Sequence, residues 1–563
     1  MSATQEREDS ARAIGRIVSV AGSRVLVMLN HGGDVDARPQ MGSLLRIDSG
    51  NTKVLGLISA LSIPAPSTEN EPEIWIAELE LVGEFARTPD GGYGRFRRGV
   101  AAYPALGDVV YEAAKDELDH AYANEGENAI RVGLIKQNAS IPATVKVNDL
   151  LGKHFAVLGT TGSGKSCAVA LILRAILQRH QNAHVVLLDP HNEYANSFGA
   201  VAELVNPSNL HLPYWLFTFE EFVEVLFAGQ ENSDAETEIL SEMIPAAKRV
   251  YGAGAVRAAA LITRKPSETG QYTVDTPTPY RMSDILSMIE EELGKLDKRR
   301  ELAPYKRLKA RIEGITHDSR YSFMFGGLTI QDTMADVLAR IFRVPVAGKP
   351  LTIIDLAGLP SEVVNVVVSV LSRMAFDFAL WGAGQVPITL VCEEAHRYAP
   401  VNDTLGFEPT KRALSRIAKE GRKYGVSLCV VSQRPAELDP TLLSQCNTLF
   451  AMRMANQFDQ ELLSAAISES ATSLLEALPS LGLGEAIAFG EGVPLPTRMR
   501  FDALPKDAIP RSATANFARR WSADTTDATF IEEVVARWRA QGRTASGPPP
   551  VAATTPPSRT GEM

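Results

Sequence analysis

Four cysteines in 563 residues are too few and too scattered for a disulfide framework or a zinc site. Cys167, Cys392, Cys429 and Cys446 never reach the CxxC spacing that such sites use. Three of them sit in or beside apolar runs, which reads as reduced core residues in a cytoplasmic protein. No apolar run approaches the ~18 residues of a membrane span, and the polar start, Ser2 to Arg12, lacks a signal-peptide core. Positive charge is not in excess either: 57 Lys and Arg stand against 67 Asp and Glu, a formal net charge of −10. A protein that coats DNA is normally basic overall, so any nucleic-acid contact must come from local basic loops, for example lining a pore. There is no Asn-Lys-x-Asp segment of the kind GTPases use to read guanine. No aromatic-hydrophobic-glycine loop favours a peptide-threading ring.

What is present is an ordinary globular composition, 45% apolar and 22% charged, with length for roughly three to four domains. The chain is organised around Gly159-Thr160-Thr161-Gly162-Ser163-Gly164-Lys165-Ser166. It follows an apolar run, His154 to Leu158, and precedes a helical pattern, Ala168 to Leu177. Strand, glycine-rich turn, Lys-Ser and helix is the order that cradles a nucleoside triphosphate. The glycines let backbone N–H groups point at the phosphates, and the new helix adds its positive end. Lys165 is expected on the β/γ oxygens and Ser166 on Mg²⁺.

Before this loop, short alternating runs (Ile14 to Val18, Arg24 to Leu29, Leu44 to Ile47, Val54 to Ile58, Ile74 to Leu79, Val109 to Tyr111) read as a small β-barrel over 14–115, after a disordered start at 1–13. Such a barrel serves as a docking module or a nucleic-acid reader. Its one small basic cluster, Arg95, Arg97 and Arg98, favours docking. Residues 116–204 read as linker plus the first part of the core, with an edge strand at Ile141 to Val145. Residues 205–345 read as a helical insertion, with helices near Glu220 to Leu226, Ala235 to Ala247, Met282 to Leu296 and Tyr305 to Ile315. Its cations, Lys298, Arg299, Arg300, Lys306, Arg307, Lys309 and Arg311, are a solvated face or a DNA or subunit contact. Strands alternating with helices resume over 346–505, C-terminal helices over 506–541, and a Pro/Ala/Thr/Ser-rich disordered tail over 542–563. The fold class is α/β: a RecA-like parallel-sheet P-loop core with an N-terminal barrel and a helical-bundle insertion.

Hydrolysis of ATP needs acids as well as a phosphate cradle. The apolar strand Ile388 to Cys392 runs into Glu393-Glu394. Glu393 is placed on the Mg²⁺ side and Glu394 on the attacking water. Asp189 and Glu193, at the end of the strand His184 to Asp189, either position water or Mg²⁺ or simply close a turn. Gln433 ends the strand Val426 to Ser432, where it senses the γ-phosphate or faces solvent. In the cationic helix Thr410 to Tyr424, Arg412 and Arg416 share a face. Arg422, beside Gly421, is the choice for an arginine reaching a neighbouring subunit's γ-phosphate; surface ion pairing is the plain alternative.

The phosphate loop, Leu188-Asp189-Pro190-His191-Asn192-Glu193-Tyr194, Cys392-Glu393-Glu394-Ala395-His396-Arg397-Tyr398-Ala399-Pro400, and Glu420-Gly421-Arg422-Lys423-Tyr424-Gly425-Val426 leading to Ser432-Gln433-Arg434-Pro435 together resemble the HerA branch of the HerA/FtsK ATPases. The likeness runs from about residue 14 to 505, the early strands matching the family's N-terminal (HAS-type) barrel. It implies a homohexameric ring moving double-stranded DNA through a central pore with ATP and Mg²⁺, off the membrane. It implies a partner docked on the barrel: a nuclease of the NurA type in end resection, or an effector in anti-phage defence. By motif position, Lys165 and Ser166 carry over as nucleotide and Mg²⁺ ligands, Glu394 as catalytic glutamate, Gln433 as sensor and Arg422 as the finger in trans. A reading of another class is an ATP-gated ring scaffold that activates an effector, translocation being secondary.

Overall fold

The computed structural model describes residues 13–30, 39–64, 73–86, 88, 92–123, 128–227, 233–260, 272–295, 302–326, 330–402, 406–466, 472–511, 517–522 and 528–540. Of the disordered ends expected at 1–13 and 542–563, all but Ala13, which begins the first strand, lie outside them, as do Lys298, Arg299 and Arg300. The chain forms two compact units. One is drawn from Met1–Gln181, Glu394–Asn402 and Ser427–Ile509, the other from Asn182–Glu393, Asp403–Val426 and Pro510–Met563.

The first unit opens with seven strands: β1 (Ala13–Ala21), β2 (Arg24–Leu29), β3 (Leu44–Ser49), β4 (Thr52–Ser62), β5 (Ile76–Ala86), β6 (Arg97–Arg98) and β7 (Val109–Glu112). The order β2-β1-β7-β3-β4-β5 is closed into a barrel by β2 pairing with β5, and β6 hangs on β5. Alternation along the strands explains the closure. Ile17, Val25, Val27, Ile47, Val54, Ile58, Leu79 and Val110 all turn inward and are buried. Each such side chain stabilises the fold by about 1.5–3 kcal/mol.

Helix α1 (Lys115–Tyr122) brings one carboxylate against the other face of β3 and β4, where Arg46 and Lys53 alternate with the core residues. Glu117 is fully buried and accepts from Arg46 Nη1 at 2.9 Å, Lys53 Nζ at 2.7 Å, Tyr93 OH at 3.2 Å and the Ala114 N–H at 2.9 Å. Burial pushes its pKa up, but Lys53, the Ala114 amide and Arg46 outweigh that and hold it below the usual carboxylate range. Glu117→Ala is expected to cost about 3–5 kcal/mol, because Arg46 and Lys53 stay buried without their counter-charge. A urea melt followed by barrel-specific fluorescence measures this. With a depressed folded pKa, the contribution is full above the unfolded value and falls away as pH drops through the folded one.

Along the rest of the chain come β8 (Ala129–Ile135), β9 (Pro142–Lys146), β10 (Phe155–Leu158), α2 (Lys165–Arg179), β11 (Val185–Asp189) and β12 (Ala202–Val205). Helices α3 (Phe219–Phe227), α4 (Asp234–Ala260), α5 (Met282–Gly294), α6 (Ala303–Thr316) and α7 (Met334–Phe342) follow. Then come β13 (Leu351–Asp355), α8 (Ser361–Trp381), β14 (Ile388–Cys392), α9 (Glu408–Tyr424), β15 (Val426–Ser432), β16 (Thr448–Met452), α10 (Gln457–Ala466), β17 (Glu485–Gly490), β18 (Thr497–Phe501) and α11 (Ala528–Ala540).

In the first unit, β10 lies between β15 and β16, parallel to both, and its last residue, Leu158, is level with Ser432 and Ala451. Beyond β16 the order β17-β18-β8-β9 is antiparallel. This half of the sheet departs from the purely parallel arrangement expected from alternating strands and helices. The reason is local: β17 and β18 are joined by a short turn with no room for a crossover helix.

In the second unit, β12-β13-β11-β14 are all parallel. Helix α8 has mean hydropathy 1.7 and is by length and composition able to cross a membrane, yet 72% of its apolar window is buried. It is the core helix of this unit. The insertion helices α4, α5 and α6 pack on one another through Leu240, Ile244, Ile285, Ile289, Leu308 and Ile312. Three of the described cations of that region serve the insertion itself. Arg307 pairs with Glu236, Lys309 with Glu290 at 2.7 Å, and Arg311 donates to the Leu226 carbonyl.

Candidate active site

In the first unit the chain leaves β10 at Leu158 and turns through Gly159–Gly164 into α2. Gly162 and Gly164 have φ of 76° and 104°, a region costly for any residue with a Cβ. These values let the turn reverse and then start the helix at once, with Gly164 as its N-cap. Three bonds brace the loop. Thr160 donates its N–H and its hydroxyl to the Arg453 carbonyl at 2.9 and 3.0 Å, and the Gly484 N–H donates to the Ser163 carbonyl at 3.0 Å. Lys165 is buried, its Nζ 3.3 Å from the Thr160 carbonyl, so the ammonium lies folded over the loop. Ser166 follows on the first turn of α2, half-buried. A lysine ammonium, a hydroxyl and the amide end of a 15-residue helix form a donor set suited to a triphosphate and its Mg²⁺.

Glu394 and Gln433 stand in the same unit. Glu394 is 7% exposed and has a left-handed backbone, φ 53° and ψ 45°. Holding a non-glycine residue there costs on the order of 1–3 kcal/mol, a strain tolerated where surrounding structure fixes a side chain's aim. Its carboxylate Oε2 is 3.4 Å from His396 Nδ1. Gln433, one residue past β15, accepts a hydrogen bond from the Thr161 hydroxyl at the tip of the phosphate loop. This contact ties the half-buried Gln433 side chain to the loop.

His396 and Ser432 carry no role from sequence reasoning, yet they join these residues. His396 Nδ1 is 3.1 Å from Ser432 Oγ, which also accepts the Arg434 N–H at 3.0 Å. Burial, with Arg434, Arg397 and Lys165 nearby outweighing Glu437, pushes the His396 pKa down to about 4, leaving the ring neutral at pH 7. The only sequence signal was position: one residue lies two beyond Glu394, the other just before Gln433.

The remaining candidates belong to the second unit. Asp189, fully buried at the end of β11, accepts from the N–H groups of His191, Glu193 and Tyr194 at 3.3, 3.1 and 2.9 Å. Its carboxylate closes the turn. Burial outweighs those amides and pushes its pKa up to about 6. The backbone of Glu193 is part of the same turn, donating to Asp189 and accepting from the Arg511 N–H. Glu393, past β14, accepts the Tyr194 hydroxyl at 2.9 Å. Tyr194 is a partner that its position after Asp189 did not reveal.

On α9, Arg412 pairs with Glu408 and Glu220, while Arg416 lies 4.0 Å over the Phe376 ring and 3.5 Å from Asp377. Arg422, exposed in the last turn, makes no ion pair among the described residues.

A glycine-rich loop opening a helix beside parallel strands, with a buried acid and a strand-end glutamine around it, defines a P-loop ATPase with a RecA-like core. Residues 130–375 match the family described as Helicase HerA, central domain. Over that span, somewhat under half of the chain, the protein is similar to HerA-type helicases. It is 27% identical over 435 residues to the DNA double-strand break repair helicase HerA of Pyrococcus furiosus, covering 70% of this chain and 72% of that protein. It is 26% identical over 490 residues to the protein of the same name in Saccharolobus solfataricus, covering 82% and 88%. Among solved structures, VirB4 of Thermoanaerobacter pseudethanolicus is similar with TM-score 0.45 and 16% identity, over 67% of this chain and 97% of that one.

Proposed function

We propose that this protein hydrolyses ATP to move double-stranded DNA, as a homohexameric ring whose barrel docks a nuclease or defence effector. The observation that carries the reading is the meeting, in one unit, of the phosphate loop, the buried Glu394 and the loop-bound Gln433, in a chain whose residues 130–375 match the HerA central domain. The HerA-named relatives are described as DNA double-strand break repair helicases, which supports DNA as the substrate of the motion.

Lys165 and the α2 amides would hold the triphosphate, and Ser166 would take Mg²⁺, with Glu393 added by motif order. When bound, Mg²⁺ neutralises charge that builds on the β- and γ-oxygens. Glu394 orients the water that attacks phosphorus and receives its proton. Gln433, tied to Thr161, reports whether the loop is filled. Arg422 of an adjacent copy completes the site. Asp189 is left with a structural task, closing its turn.

Glu394→Gln keeps the shape of the side chain and removes the base. It is expected to bind nucleotide normally and lose about 10²–10⁴ in turnover. Steady-state ATPase beside fluorescent-nucleotide titration checks this, and near-normal hydrolysis would move the role elsewhere. Duplex-stimulated ATPase with displacement of a labelled roadblock supports the translocase. Effector activation without DNA movement would instead assign an ATP-gated scaffold.

A further inference from the structure

A turn from the far half of the sheet lies directly against the phosphate loop. Gly484 donates its N–H to the Ser163 carbonyl at 3.0 Å, and its own carbonyl accepts the Phe501 N–H at 2.9 Å. It holds φ of 71°, a left-handed value natural to glycine. A Cβ built on Gly164 would come within 3.4 Å of the Gly484 nitrogen, so the two backbones pass in contact. The next residue, Glu485, is buried and opens β17. One carboxylate oxygen accepts the Gly482 N–H at 3.3 Å and two bonds from Arg498, Nε at 3.2 Å and Nη2 at 2.6 Å. Lys136 Nζ is 2.8 Å from the other oxygen.

We infer that Glu485 is a positioning residue for nucleotide binding: by fixing the Gly482–Gly484 turn it orients the peptide between Ser163 and Gly164. The inference rests on the phosphate loop being the triphosphate site. In a trans peptide the C=O and N–H point opposite ways. With the Ser163 carbonyl held by Gly484, the Gly164 N–H is turned away from Gly484, to a side where an anion can take it. Gly164 has no Cβ to resist a flip of that peptide. The Gly484 bond resists it instead, and Glu485 keeps Gly484 in place. Burial would raise the Glu485 pKa, but Lys136, Arg498 and the Gly482 amide outweigh it and bring it down to about 2. The anchor therefore stays charged at neutral pH.

The test uses the full-length, assembled protein. Glu485→Gln keeps the side chain's shape and removes its charge. One hydrogen bond to the loop is worth about a factor of ten. KM for ATP and the Kd of a fluorescent ATP analogue should therefore both rise about tenfold. At saturating ATP kcat should stay within about twofold, since Glu394 and Gln433 are untouched. Gly484→Ala strains the left-handed turn and should give the same rise. Gly484→Asn places a side chain that accepts this backbone region and should not. A Cβ at that position meets no atom within 4 Å, so bulk does not separate the two. The double variant Glu485→Gln with Gly484→Ala should be no worse than the poorer single one.

Unchanged KM and Kd in Glu485→Gln, equal rises in Gly484→Ala and Gly484→Asn, or multiplied rises in the double variant would each overturn the inference. So would a KM that merely follows stability: Glu117→Ala, destabilised in the barrel, must leave KM alone. If Glu485→Gln does not fold, Gly484→Ala against Gly484→Asn decides it: the first must raise KM and the second must not. Lys165→Ala separates the two levels. Unaltered affinity there overturns the reading beneath, whereas lost affinity beside a normal Glu485→Gln overturns the brace alone.

Discussion

Lys165→Ala is expected to remove ATP binding at working concentrations. The ammonium is buried and lies 3.3 Å from the Thr160 carbonyl, folded over the phosphate loop. In that place it faces the anion that the loop is built to receive. Removing one partner of a desolvated charged contact costs about 2–5 kcal/mol. That corresponds to a loss of about 30-fold to a few thousandfold in affinity. The α2 amides and Ser166 remain, so residual weak binding of inorganic phosphate is compatible with the site. Titration with a fluorescent ATP analogue, beside a thermal melt to confirm folding, measures the change. Unaltered affinity would mean that this loop is not where the triphosphate lies.

Arg422→Ala should leave nucleotide affinity alone and lower turnover by about 10³-fold or more, the scale of an arginine supplied in trans. Geometry singles this residue out from its neighbours. Arg412 is committed to Glu408 and Glu220, and Arg416 to Phe376 and Asp377, whereas Arg422 is exposed at the end of α9 with no such pairing among the described residues. The decisive measurement mixes two inactive proteins. Lys165→Ala subunits bind no ATP but still carry Arg422, and Arg422→Ala subunits bind ATP but have no finger. Mixed rings should hydrolyse ATP at seams where an Arg422→Ala site faces an intact arginine. Mixtures that stay dead would return Arg422 to an ordinary surface cation.

Much of the fold was legible because its strands announce themselves physically. Phe155 to Leu158, Val185 to Asp189 and Val426 to Ser432 are short apolar runs between turn signals, as strands covered on both faces must be. The barrel strands alternate instead, because one face is buried and one is wet. The antiparallel stretch β17-β18-β8-β9 was legible only in its edge strand, Ile141 to Val145, since Glu485 to Gly490 and Thr497 to Phe501 are ordinary short runs and β18 joins β8 across hundreds of residues.

The site divides the same way. The phosphate loop is a local device, wholly contained in eight residues, so its chemistry could be read directly. Asp189 could be read as a ligand or as a turn former, and three backbone amides claim its carboxylate. The i,i+4 spacing of Arg412 and Arg416 gave their shared face but not the acids and ring that hold them. His396 and Ser432 are 36 positions apart, and only the folding of β15 beside the acid-bearing turn makes them neighbours.

The closed barrel also limits how another protein can hold it. With β2 sewn to β5, the described strands of its main ring leave little open edge onto which a visitor could lay an extra strand. Recognition at this module must then be written in protruding side chains such as Met28, Leu61 and Ile63. A binder evolving against it gains or loses grip one surface substitution at a time, and a generic extended peptide would find little purchase.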